Sequence, residues 1–295
     1  MLGMTKRRDH TTGESDGLAD PTDERSNCGV GAVIDLDGGR SHETVSDGLE
    51  LLENLEHRGT TGAEENTGDG AGIKVQRPDD FFDAVVDVDL PAEYAVGSIF
   101  MPQDDAAREG LVAIFERVLA DHGLDVVHWR DVPTDNADLG ATALDSEPNV
   151  QQAFVVPDSE GDSLDSEGNG LDSEGDSLDS EGNGLDSEEF DRALYVARRA
   201  VEKEVDELDS EGAKRFYVCS LSRKTLVYKG LLKGEQLADY YPDLTDERLK
   251  TTLTLVHARF STNTLGAWHL AHPYRHIVHN GEINTIQGNI NWMRS

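Results

Sequence analysis

One of the two cysteines of the chain, Cys28 in "RSNCGVGAVIDL", stands directly before a glycine at the mouth of an apolar run. A thiol attacks as its thiolate, which requires a nearby base or positive charge. No histidine or lysine lies within ten residues of Cys28, so a base must come from elsewhere. The last fifth of the chain, "HARFSTNTLGAWHLAHPYRHIVHNGEINTIQGNINWMRS", places five histidines between 257 and 279. His269 and His272 are three apart, as are His276 and His279, and neutral imidazole is a zinc ligand. Read as a strand, however, "RHIVH" sends residues three apart to opposite faces, and no His-Glu-x-x-His is present. Solvated or core histidines are expected here, not a metal site.

Two further positions have a plain reading and a chemical one. Asn280-Gly281 after an apolar stretch is a hairpin-turn signal, because both residues tolerate positive φ. The same geometry can present a carboxamide N–H beside a backbone N–H, as an oxyanion hole needs. Arg259 is either a surface cation or a bidentate clamp for a carboxylate, with the hydroxyls of Ser261 and Thr262 beside it.

Such residues need a frame to hold them. "VGAVIDL", closed by "DGG", reads as a strand. Over Thr44–His57, Val45, Leu49, Leu52 and Leu55 recur at helical spacing, with Thr44 and Asp47 as a capping box and Gly59 as the stop. A second helix is predicted near 104–122 on Leu111, Ile114, Phe115, Val118 and Leu119. A third, near 188–208, rests on Phe190, Leu194, Ala197, Val201, Val205 and Leu208. "TGDGAG" at 67–72 lacks the lysine of a phosphate loop and reads as a tight turn before the strand "GIKVQR". "LDVVHWRDV", "TLTLVHARF" and "RHIVHN" are predicted strands. "RFYVCSL" and "TLVYKGLL" read as a hairpin around Ser222–Lys224, with Cys219 an inert core residue. Together these elements describe an α+β fold.

Asp and Glu outnumber Lys and Arg 59 to 26, a formal net charge of −33, which repels nucleic acid and anionic membranes. The acids are spread along the chain, as in a cytoplasmic, halophilic protein whose surface stays hydrated in high salt. No secretory signal and no run of eighteen apolar residues is present. A cytoplasmic address leaves a Cys28–Cys219 disulfide unexpected. Residues 1–27 are polar and read as a disordered leader. Residues 158–171, "DSEGDSLDSEGNGL", repeat identically as 172–185. One leucine and a glycine per seven residues cannot build a coiled-coil seam, so an acidic disordered insertion is expected at about 157–187.

The motifs gain weight in combination. "CGVG", "LENLEHRGTTGAEENTGDGAGI", "HARFSTNT" and "AHPYRHIVHNGEINTIQGNINWMR", in this order, resemble the glutaminase domain of the glutamate synthase large subunit. That domain is a class II glutamine amidotransferase and an N-terminal-nucleophile hydrolase. The likeness is dense over 28–75 and 253–294 and thin between.

The resemblance implies a four-layer αββα sandwich with antiparallel sheets, formed by residues 28–295 after removal of the leader 1–27. Cys28 would then be residue one, and its own α-amino group, with an ordinary pKa near 8, would be the missing base. Asn280 and the Gly281 N–H would form the oxyanion hole, Arg259 would hold the glutamine α-carboxylate, Thr262 would line the same pocket and Arg58 would support it. The implied reaction converts glutamine to glutamate and ammonia, for amination of 2-oxoglutarate elsewhere. Implied partners are the remaining synthase domains or subunits and an electron donor, ferredoxin or NAD(P)H. The flavin mononucleotide and iron–sulfur cluster of the full-length family would lie outside this segment.

There are departures. "LGA" stands after "STNT" where the family has Phe and Pro, and His272 stands where glutamine is common. The acidic residue that holds the glutamine α-amino group lies well beyond the Asn-Gly pair in the family. Here only fourteen residues follow Gly281, so a C-terminally incomplete domain is expected. The alternatives are a non-catalytic fragment or interaction subunit, and another N-terminal-nucleophile amidase.

Overall fold

The computed structural model describes residues 29–55, 64, 66–158, 185–259, 266–279 and 286–294. Eight strands, β1 (Gly29–Ile34), β2 (Ala71–Gln76), β3 (Ala95–Met101), β4 (Leu124–Asp131), β5 (Asn149–Pro157), β6 (Tyr217–Ser222), β7 (Thr225–Gly230) and β8 (Leu253–Ala258), form two antiparallel four-stranded sheets. Their orders are β1-β8-β2-β7 and β4-β5-β3-β6. The α-helices are α1 (Glu43–Asn54), α2 (Asp79–Val85), α3 (Asp105–Ala120), α4 (Ala141–Asp145), α5 (Ser187–Asp206), α6 (Gln236–Tyr240) and α7 (Ile286–Arg294).

The apolar stripes explain where the long helices lie. Phe190, Leu194, Ala197, Val201 and Val205 on α5 are buried with Leu111, Phe115, Val118 and Leu119 of α3 against Ala95, Ile99 and Met101 of β3. Each of the Val, Leu, Ile, Phe and Met side chains among these contributes roughly 1.5–3 kcal/mol on burial. Both helices start on aspartate caps: Asp104 accepts the Ala107 N–H, and Asp186 forms a reciprocal capping box with Glu189. Helix α1 packs on β1 and β8, with Val45 and Leu52 in the core cluster that joins the two sheets through Ile73, Tyr228, Phe82 and Phe154. One helix on the first sheet and two on the second supply the elements of an αββα sandwich.

Four expectations are corrected. Thr44 does not cap α1. The helix begins at Glu43 and Ser41, held by its bridge to Thr251, accepts the Thr44 N–H instead. The strands "RFYVCSL" and "TLVYKGLL" do not pair as a hairpin: β6 joins β3 in one sheet and β7 joins β2 in the other. The turn between them is closed by Ser222 Oγ, which accepts the Lys224 and Thr225 N–H groups, and it carries the chain from sheet to sheet. "RHIVH" is irregular backbone rather than a strand. Leu208 lies past the end of α5 and is exposed. The strand β3, "AVGSIFM", is buried along its whole length and is central to its sheet. It shows no alternation for a sequence pattern to catch.

The two sheets are also joined by a polar cluster. Arg130 on β4 donates two bonds of 2.7 Å to Asp243, whose Oδ2 also accepts the Tyr228 hydroxyl of β7 at 3.0 Å. Gln152 on β5 accepts from Arg130 and donates to Tyr228. No helix among the described residues is long and apolar enough to cross a membrane.

Candidate active site

Of the residues proposed to do chemistry, Arg259 lies within the described structure; Cys28, Arg58, Thr262, Asn280 and Gly281 lie outside the described residues. Residues next to Cys28, Arg259 and Asn280 in the chain are described. In the sheet register Ala258 at the end of β8 lies between Gly29, the first residue of β1, and Ala71, the first residue of β2. Gly29 is the residue after Cys28. The C-terminal end of α1 packs on the same spot, where a β-carbon at Gly29 would sit 3.0 Å from Leu55 Cβ. His279, the residue before Asn280, is fixed 3.0 Å away from the central strand by the bond His257 Nε2 to its carbonyl. Because a carbonyl can only accept, that imidazole carries its proton on Nε2. Gly29, Ala258 and His279, the residues before or after Cys28, Arg259 and Asn280, therefore lie together at one end of the first sheet.

Arg259 itself is held tightly. Its backbone is left-handed, with φ 72°, a conformation that costs a branched-at-Cβ-free side chain about 1 kcal/mol or more and persists only where surroundings enforce it. The Arg259 N–H donates to the Gly70 carbonyl at 2.8 Å. Its Nε lies 3.7 Å from Asp69 Oδ2, and only 9% of the residue is exposed. Gly70, at φ 108°, faces Ala271, where an added β-carbon would meet Ala271 Cβ at 3.1 Å. The glycines of "TGDGAG" thus serve close approach of backbone, and the motif also supplies Asp69. The glycine pattern marks a turn there, and nothing in it singles out the carboxylate.

The segment 267–279 is seated on one face of the first sheet. Gly72 pairs with Lys229 on one side and His257 on the other, so the three form a row across β7, β2 and β8. Lys229 Nζ donates to the carbonyls of His269 at 2.9 Å and Ala271 at 2.7 Å. Burial pushes its ammonium down to about 8. Lys74, two residues along β2, donates to the Arg275 carbonyl at 2.7 Å. The Arg275 guanidinium donates to the Val218 carbonyl of β6 and lies 3.4 Å from Glu202.

The histidines sort by place. His272 stacks on His257 with centroids 4.3 Å apart, and His279 meets His272 edge-on at 4.9 Å. Burial first, then the neighbouring imidazoles, hold His272 down to about 3; burial holds His257 down to about 4. His276 instead lines an outer groove beside Arg275 and Tyr195. No group of three or more potential ligands among the described residues is placed to hold a metal ion. Cys219 is buried in β6, its thiol pushed up to about 11 by desolvation, as befits an unreactive core residue.

With this geometry described, similarity to known proteins is informative. The profile of the class-II glutamine amidotransferases matches residues 28–295, and the chain belongs to that family. The match begins at Cys28 itself. Among its relatives, the NADPH-dependent glutamate synthase large chain of Bacillus subtilis is 39% identical over 288 residues, which is 96% of this chain and 17% of that protein. Ferredoxin-dependent glutamate synthase 1 of Arabidopsis thaliana is 39% identical over 283 residues, 94% of this chain and 16% of the relative. The NADH-dependent glutamate synthase of Saccharomyces cerevisiae is 39% identical over 290 residues, 95% of this chain and 12% of the relative. The chain thus spans about a sixth or less of the length of these curated relatives.

Proposed function

We propose that this chain is the glutaminase part of a glutamate synthase, active once residues 1–27 are removed. The observation that carries the reading is the convergence at the end of β8, where Arg259 stands beside Asp69 and the flanks of Cys28 and Asn280 meet. The α-amino group of Cys28 takes the thiol proton, directly or through water, and the thiolate adds to the side-chain amide carbon of glutamine. Asn280 and the Gly281 N–H receive the oxyanion. The C–N bond breaks as ammonia leaves with the transferred proton, and water then cleaves the thioester to glutamate and restores the thiol. Arg259 takes the α-carboxylate, with Asp69 orienting its guanidinium, while Thr262 and Arg58 complete the pocket.

Ammonia and reducing equivalents meet in the remaining synthase domains or subunits, where the flavin and iron–sulfur chemistry resides. The relatives' names divide among NADPH, NADH and ferredoxin as donors. The acidic surface fits a cytoplasmic, halophilic setting.

The test is N-terminal sequencing of active protein together with Cys28→Ser. A mature chain starting at Cys28, and loss of ammonia release from glutamine in the variant, support the reading. Active protein that begins at Met1 overturns it. Turnover of asparagine equal to that of glutamine points instead to another amidase.

A further inference from the structure

We propose that Lys229 is a positioning residue for the oxyanion hole: the row Lys229, Gly72 and His257 seats the segment that runs into Asn280-Gly281. The inference rests on the proposed role of that pair and adds the element that sets its place.

Lys229 is 1% exposed, in a chain with 59 carboxylates, yet the hydrogen bonds of its ammonium among the described residues go to backbone carbonyls rather than to a carboxylate. A buried ammonium is costly, and where volume alone is needed an apolar side chain of the same length serves better. What Lys229 does with its charge is grip backbone. Two of its N–H donors take the carbonyls of His269 and Ala271, and the rings of Tyr217 and Tyr274 lie 4.5 and 5.1 Å from Nζ.

Gly72 beside it leaves room for the segment: an added β-carbon would lie 2.4 Å from the His272 carbonyl oxygen. His257 then completes the seat, stacking on His272 and bonding the His279 carbonyl. One row of three residues therefore fixes positions 269, 271, 272 and 279, the last of which is bonded covalently to Asn280. Displacing an oxyanion donor affects the transition state more than the bound substrate.

The experiment compares glutamine hydrolysis by the purified chain with that of Lys229→Met and Gly72→Ala, alongside the rate of Cys28 alkylation by iodoacetamide. The expected result is a kcat about 10- to 100-fold lower in each variant, with KM within threefold and alkylation unchanged. A folded Lys229→Met with kcat within twofold of the parent overturns the proposal. So does a fall in kcat and alkylation together with a large rise in KM, which marks general loss of structure. Should Lys229→Met fail to fold, Gly72→Ala decides, because it keeps the ammonium while its β-carbon crowds the whole seat, the His272 carbonyl at 2.4 Å together with Lys229 Cβ at 2.6 Å and the Tyr228 carbonyl at 2.8 Å. A parent that neither hydrolyses glutamine nor alkylates at Cys28 strikes the underlying glutaminase reading, a result distinct from either of these.

Discussion

At Arg259 a long cationic side chain is almost fully buried with its Nε 3.7 Å from a carboxylate and its backbone in a left-handed turn. The left-handed backbone and the Asp69 carboxylate together fix where the side chain starts. Arg259→Ala is expected to raise the KM for glutamine about 10- to 100-fold, the range for losing a charge-assisted contact, with a smaller effect on kcat; steady-state kinetics checks it. The stacked imidazoles give a second expectation. His257 and His272 stay neutral down to about pH 4 and 3, whereas in the unfolded chain they take up protons near 6.5. Between those values the unfolded state binds more protons, so stability rises with pH and is lost as pH falls from 6.5 towards 4. His272→Gln should flatten that loss, read as the denaturation midpoint from pH 7.5 to 4.5. An unchanged slope would refute the assignment.

Elements carry the next level of argument. The "TGDGAG" loop is glycine-rich because Gly70 adopts φ 108° and lies against Ala271. Gly70→Ala is expected to lower stability by about 1–3 kcal/mol through backbone strain and to weaken glutamine binding, since the Gly70 carbonyl holds the Arg259 N–H. Helix α5 is a simpler case. Its Asp186 caps two N–H groups at 2.8 and 2.9 Å, so Asp186→Ala should cost about 1 kcal/mol in chemical denaturation without altering kinetics. The β6–β7 connection shows why a short link between two apolar strands need not be a hairpin. Each strand finds a ladder of its own, with β3 and with β2, and the turn is satisfied by one serine hydroxyl.

For the whole molecule, the join between sheets and the surface charge dominate. Asp243 receives Arg130 and Tyr228 from different sheets in a nearly dry setting. Asp243→Ala leaves the guanidinium buried without its partner and is expected to destabilise the fold by about 3–5 kcal/mol, measured by denaturant unfolding. A net charge of −33 repels itself at low ionic strength, where the Debye length is about 10 Å at 0.1 M and shrinks to about 3 Å at 1 M. The melting temperature should therefore climb as KCl rises from 0.1 to above 1 M. A flat profile would argue against a salt-adapted surface.

Much of the fold was readable in the chain because it depends on local periodicity. The stripes on α3 and α5 and the strand after "TGDGAG" follow from side-chain spacing over a few residues. The family was readable because Cys28, Arg259 and Asn280-Gly281 occur in order with their surrounding motifs. Strand β3 was not, since a strand buried on both faces has no alternation, and the partners of β6 and β7 were not, since pairing is decided by which edges meet. Asp69, Lys229 and His257 are unremarkable as sequence. Only the antiparallel register brings Lys229, Gly72 and His257 into one row, and only the folded chain sets Asp69 beside Arg259. Residue types and spacing determined what chemistry the protein carries; tertiary contacts between segments as far apart in sequence as Gly29 and Ala258 decided how its machinery is held.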